Sequence, residues 1–236
     1  MTSPTPSPHP EREIRQRDLV PPERLAACQG VVVGVGAVGR QVALQLAAAG
    51  MPHLTLIDPD LVAVENLAPQ GYWPRDLGAA KVLATRAVCQ MINPHLEVSL
   101  LQGRFQRSCV KSLRTRDRLV VFSCVDSIVT RRLIWESLRC QAALLVDGRM
   151  SAEVIRVLAV ASPATDVYYA TTLFAAEEAY AGSCTARSTI YTASIAAGLM
   201  VGQMARWLRR LPVDPDLTLN LLASELTVAH MPGVPD

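Results

Sequence analysis

No C-x-x-C pair occurs among the six cysteines (Cys28, Cys89, Cys109, Cys124, Cys140 and Cys184), which leaves neither a zinc knuckle nor a dithiol redox motif. The four histidines, His9, His53, His95 and His230, lack metal-ligand spacing and are assigned no ligand role. No basic run is long enough to mark a nucleic-acid surface, and a net charge of +2 gives no electrostatic argument for one. Long apolar runs are missing too. The most apolar stretch, residues 190–205, is interrupted by Thr192, Ser194, Gln203, Gly198 and Gly202 and falls short of the ~20 residues a bilayer span needs. It reads as a buried helix. With no charged-then-apolar leader and scattered cysteines, the expectation is a cytoplasmic protein with reduced thiols. Aromatics are only 5 % while half the residues are hydrophobic, the composition of an Ala/Leu/Val-rich α/β protein.

What is present begins with Val31-Val-Val-Gly34-Val-Gly36-Ala37-Val-Gly39, which reads as a strand, a glycine turn and the start of a helix. Gly34 and Gly36 allow a tight turn and close approach of backbone to phosphate; Gly39 allows close helix–strand packing. Backbone N–H groups and the macrodipole at the helix start favour an anion. Asp58 closes a second apolar strand, Leu54–Ile57, about 20 residues on, where an acidic side chain meets a ribose hydroxyl. A nucleotide site follows.

Residues 1–10 are rich in Pro, Ser and Thr and are expected to be a disordered tail, leaving residues 11–236 as one domain. The patterning predicts a short surface helix within 11–29, strand 31–35, helix 37–49, strand 54–58 and helix 78–92. Strand 97–101, a polar helix around 107–115, strand 119–124, helix 127–140 and strand 142–147 follow. Beyond them the reading is a strand at 154–161, a long loop at 163–183, a long helix at 186–210 and a final strand at 217–229. This alternation gives an α/β, Rossmann-like, doubly wound and mostly parallel sheet.

A plain dinucleotide site would explain Gly34, Gly36, Gly39 and Asp58 and nothing further. This chain adds Asp58-x-Asp60-x-Val62-x-x-x-Asn66-Leu67-x-x-Gln70, then Gly78-x-x-Lys81, then Cys124-x-Asp126 at a strand end. Ligands of doubly wound sheets sit outside the carboxyl ends of the strands, so Lys81 and Asp126 can converge on phosphates held at Gly36–Gly39. Lys81 would neutralise charge building on an α-phosphate, and Asp126 would hold Mg²⁺. Hydride transfer needs neither; attack on a nucleoside triphosphate uses both.

This constellation, with Arg12-Glu-Ile-Arg15-Gln16 before it, resembles the ubiquitin-activating-enzyme superfamily in its small ThiF/MoeB-like form, over roughly residues 12–210. The resemblance implies Mg·ATP-dependent adenylation of the C-terminal carboxylate of a ubiquitin-like protein, with pyrophosphate released. It implies that Gly34, Gly36, Ala37, Gly39, Asp58, Asp60, Asn66, Lys81 and Ser127 bind the nucleotide: Asp58 at the ribose, Asn66 and Lys81 at the phosphates. Asp126 would hold the metal. Arg15 would reach the ATP of a partner subunit, which implies a homodimer. Members usually carry arginine after Asn-Leu-x, where this chain has Pro69; Arg75, Arg12 or Arg15 is left to supply that charge. The zinc-binding C-x-x-C pairs of ThiF and MoeB are absent, so no zinc is expected.

Cys184-Thr185-Ala-Arg187 resembles the Cys-Thr-x-x-Arg of autophagy-type activating enzymes, whose cysteine forms a thioester with the ubiquitin-like tail. A helix N-terminus and Arg187 would both favour a thiolate there. The other five cysteines read as core. Small size, missing zinc cysteines and the Cys-Thr motif resemble the minimal BilD-type activating enzymes of bacterial ubiquitin-like conjugation operons, associated with phage defence. That implies a conjugating enzyme as acceptor and a crossover loop at 163–185 over the threaded tail. Three other readings stay open: adenylation of a non-protein acceptor, as in tRNA-threonylcarbamoyladenosine dehydratases; a NAD-dependent dehydrogenase; and an inactive scaffold, motivated by Pro69.

Overall fold

The computed structural model describes residues 12–113, 118–174 and 188–229. One eight-stranded sheet has the order β3-β2-β1-β4-β5-β6-β7-β8. Its strands are β1 (Cys28–Val33), β2 (His53–Ile57), β3 (Glu97–Leu101), β4 (Arg118–Ser123), β5 (Ala142–Ser151), β6 (Val154–Val160), β7 (Asp216–Asn220) and β8 (Glu225–Val228). The helices are α1 (Pro22–Leu25), α2 (Ala37–Ala49), α3 (Leu67–Gln70), α4 (Lys81–Ile92), α5 (Ile128–Leu138), α6 (Pro163–Thr171) and α7 (Ile190–Leu208). Strands β1 to β5 run parallel, with Val31 beside both Thr55 and Val121; β6 to β8 are antiparallel. The expected doubly wound α/β sheet is the observed one.

The central strands β1 and β4 are covered on both faces, which is why Val31–Val33 and Leu119–Phe122 read as continuous apolar runs. Alternation sorts the side chains of β1. Cys28 and Val32 join Leu46, Phe122, Ala196 and Met200 in the layer under α2, α4 and α7. Val31 and Val33 join Ile134, Trp135, Leu145 and Tyr169 in the layer under α5 and α6. Helix α7 lies close on β5: a Cβ built on Gly148 would stand 2.3 Å from the Met200 sulfur. A larger residue there would require the Met200 side chain to move.

Several sequence expectations are corrected. Residues 163–171 form α6 rather than loop, capped by Ser162, whose Oγ accepts the Thr165 N–H, with Pro163 opening the first turn. The final strand is a hairpin, β7 and β8, reversed at Leu221–Ser224, with Ser224 at φ 55° and Asn220 Oδ1 accepting the Ala223 N–H. Residues 107–112 form a 3-10 helix. The short helix expected within 11–29 is the four-residue α1, preceded by a series of turns at 12–20. Among the cysteines read as core, Cys28 and Cys89 are buried, Cys109 and Cys124 are partly exposed, and Cys140 is exposed just past α5. Burial pushes the Cys28 thiol up to about 11 and that of Cys89 to about 12, so neither is a nucleophile at neutral pH. Among the described residues, no helix is long and apolar enough to cross a membrane.

Candidate functional site: a nucleotide cradle at the switch point

Strand order reverses between β1 and β4, and the segments leaving their C-terminal ends lie side by side. Cys124 N–H donates to Val33 O at 2.8 Å, carrying the pairing one residue past β4. Gly34, at φ +86°, needs glycine both for its backbone and for its neighbour: a Cβ would stand 2.7 Å from Cys124 O. At Gly39 a Cβ would fall 1.8 Å from Gly34 O, so α2 sits against its own entry turn. Gly36, the N-cap of α2, has nothing within 4 Å of its Cβ position and gives the helix no side-chain cap. The N–H groups of the first turn, including those of Ala37 and Gly39, have no intrahelical partner. An open, uncapped glycine turn at a helix N-terminus fits a phosphate.

Asp58, at the end of β2, is almost fully buried and clamps this turn. Its carboxylate accepts the Val35 N–H at 2.6 Å and the Asp60 N–H at 2.8 Å. Burial raises its pKa above the ordinary carboxylate value, against those two donors and nearby Lys81. The segment after Asp58 returns through an antiparallel bridge, Leu61 to Ala80, aided by Gly78 at φ +79°. That fold-back brings Lys81, buried at the start of α4, within 3.0 Å of Asp60 Oδ2. Asn66 caps a 3-10 turn, its Oδ1 accepting the Ala63 N–H at 3.0 Å, and its amide nitrogen remains the donor end.

Asp126 and Ser127 are exposed in the segment joining β4 to α5, which touches Gly34 and Gly39 through Cys124. Ser127 is also the N-cap of α5, its Oγ accepting the Thr130 N–H. The exposed Asp126 carboxylate beside a phosphate cradle suits Mg²⁺, which binds through one or two carboxylates plus the phosphates themselves. Gly34, Gly36, Ala37, Gly39, Asp58, Asp60, Lys81, Asp126 and Ser127 thus gather at the C-terminal ends of β1, β2 and β4.

Arginines 12 and 15 lie elsewhere. Arg12 Nη2 donates to Ala47 O and to Ile92 O, each at 3.1 Å, tying together the C-terminal turns of α2 and α4. Gln16 Nε2 donates to Ala49 O at 3.0 Å, so exposed Arg15 sits at that same end. The glycine turn lies at the other end of α2, a 13-residue helix about 20 Å long. Neither arginine reaches the nucleotide cradle of its own chain. Arg75 is exposed and stacked on the Trp73 ring at 3.9 Å. Cys184 and Arg187 lie outside the described residues.

Sequence reasoning passed over Arg40, in the first turn of α2. It is 2 % exposed, its guanidinium lies 4.7 Å from the Tyr72 ring centroid, and its Nε and Nη2 have no hydrogen-bond partner among the described residues. The signal was an arginine directly after the last glycine of the turn.

The match to known proteins covers nearly the whole chain, residues 12–230, and is to the ThiF family. The chain belongs to the ThiF family. It is 30 % identical over 145 residues to a molybdopterin-synthase adenylyltransferase of Salmonella typhimurium, 60 % of this chain and 58 % of that protein. It is 32 % identical over 135 residues to a SAMP-activating enzyme E1 of Haloferax volcanii, 56 % of this chain and 50 % of that protein. The matched stretch therefore spans no more than about three fifths of these curated relatives. Among solved structures, PaaA superposes with a TM-score of 0.75 at 18 % identity, covering 97 % of this chain and 85 % of that one. Escherichia coli MccB with AMPCPP and MccA gives 0.74 at 15 % identity, covering 93 % and 71 %. These structural likenesses show a shared ThiF/MoeB-like fold.

Proposed function

We propose that this ThiF-family chain is an ATP-dependent adenylating enzyme whose acceptor is the C-terminal carboxylate of a ubiquitin-like protein. The observation that carries the reading is the convergence of the glycine turn, Asp58, Lys81 and Asp126 at the switch point of the sheet. Relatives named as adenylyltransferases and as an activating enzyme support the same reaction class. Asp58 holds the turn and offers its carboxylate to the ribose, and the α2 N-terminus takes a phosphate. Lys81, held by Asp60, lies where its ammonium can transfer to the phosphates. Mg²⁺, when bound at Asp126, supplies charge neutralisation on the phosphates.

In the reaction, a carboxylate oxygen of the tail attacks the α-phosphorus. The bond from that phosphorus to the bridging oxygen breaks, and pyrophosphate leaves with the bond pair. The thiolate of Cys184 then attacks the acyl carbon; a carbon–sulfur bond forms, AMP leaves, and the tail passes to a conjugating enzyme. Arg15 acts on the cradle of a second copy, because in its own chain it stands at the wrong end of α2. The absence of C-x-x-C pairs and the Cys184-Thr185 motif support a BilD-type conjugation enzyme over a sulfur-transfer one.

The test is intact mass without reductant after mixing the chain with Mg·ATP and a candidate ubiquitin-like protein. The expected result is an adduct that thiol removes and that Cys184→Ala lacks. AMP and pyrophosphate without any adduct would leave adenylation standing and remove the thioester step.

A further inference from the structure

A guanidinium taken out of water without a partner is costly, because burial disfavours the ion and each unmade hydrogen bond adds to the penalty. Arg40 is such a group. Asp147, the buried acid on the other side of the sheet, is matched by two arginines; Arg40 has no carboxylate in salt-bridge contact among the described residues. The titratable groups that face it are Tyr72 and Asp76 from the segment after α3, and Cys89 from α4. Its close partner is the face of Tyr72, a cation–π contact. That ring is itself fixed to the nucleotide cradle: Tyr72 Oη donates to Val35 O at 2.7 Å and lies 3.1 Å from Thr85 Oγ1. Arg40 stands in the first turn of α2, four residues after Gly36, and its contact with Tyr72 links it to the glycine turn through Val35.

The other candidate cations of this chain are paired, stacked or placed elsewhere, with exposed Arg15 at the far end of α2. Lys81 is paired with Asp60, Arg12 caps carbonyls at the far end of α2, and Arg75 is stacked on Trp73 in solvent. Position 69, after Asn66-Leu67-Ala68, is proline and supplies no charge. We propose that Arg40 is the receptor for the β- and γ-phosphates of the bound nucleoside triphosphate, supplying from α2 the cation that Pro69 denies the 66–70 segment. This rests on the nucleotide reading above. Tyr72 acts as the positioning residue, holding the guanidinium flat and dry beside the turn so that the anion meets a preset donor pair.

The test is titration calorimetry of the full chain with Mg·ATP and, separately, with AMP, for wild type, Arg40→Met and Arg40→Lys, each checked by its nucleotide-free melting temperature. Arg40→Met is expected to weaken ATP by about tenfold or more and AMP by less than about twofold, with Arg40→Lys between. Its melting temperature is expected to be no lower than wild type, because an unpartnered charge has been removed. The proposal is overturned if Arg40→Met binds ATP like wild type, or if it loses ATP and AMP alike and melts lower, the signature of a packing role. Wild type that binds neither nucleotide would overturn the adenylation reading as well.

Discussion

The two faces of the sheet bury charge in opposite ways. Under α5 and α6, Asp147 is fully buried and saturated. Arg131 bonds one carboxylate oxygen; Arg149 Nε at 2.8 Å and Tyr169 Oη at 3.1 Å donate to the other. Arg131 also donates to Val125 O, and Arg149 to Thr172 O, so the cluster ties the β4–α5 segment and the end of α6 to β5. Under α2 and α4, Arg40 is buried nearly as deeply with two donors unspent. A satisfied buried charge holds its neighbours in register; an unsatisfied one is a cost that a ligand can relieve. One face is finished as a scaffold, and the other is built to receive something.

The largest test of that contrast is Asp147→Asn. It leaves buried Arg131 and partly buried Arg149 without their counter-charge and is expected to cost about 3–5 kcal/mol, read as a lower denaturation midpoint at unchanged slope. Burial raises the Asp147 pKa, but Arg131 and Arg149 outweigh it and hold the group below the ordinary carboxylate range. A depressed acid contributes stability above its unfolded pKa and loses it as pH falls through the folded value. Wild type should therefore shed this contribution only at pH below the ordinary carboxylate range, and the variant should lack that part of the acid dependence. A variant as stable as wild type would break the comparison. Next is Gly39→Ala: the added methyl meets Gly34 O, so α2 must move off its turn. About 1–3 kcal/mol of stability should be lost, with weakened nucleotide binding by calorimetry, and unchanged binding would separate the turn's packing from its function.

Legibility followed the range of the forces involved. The turn at Gly34, Gly36 and Gly39 is a local steric requirement, and helix 37–49 was readable to both ends because Gly36 and Gly50 punctuate it. Helix α6 carried a local signal too, Ser162-Pro163 with Thr165, but its weak apolar period hid it. Other features came only with the tertiary fold. The capping of α2 and α4 by Arg12 joins residues 35 and 80 positions apart. The pairing of Lys81 with Asp60 depends on a fold-back across 21 positions. Arg40 could not be seen as unpartnered until Tyr72 and α4 had closed over it. The hairpin reversal at residues 221–224 lacks glycine and proline, so β7 and β8 read as one strand.

The most direct test of the account is ATP–pyrophosphate exchange with Mg²⁺ and a candidate ubiquitin-like protein, comparing wild type with Asp126→Ala. The account predicts exchange that requires the ubiquitin-like protein and falls by about 100-fold or more in Asp126→Ala. Exchange that is undiminished in the variant, or tight NADH binding with no use of ATP, would contradict it.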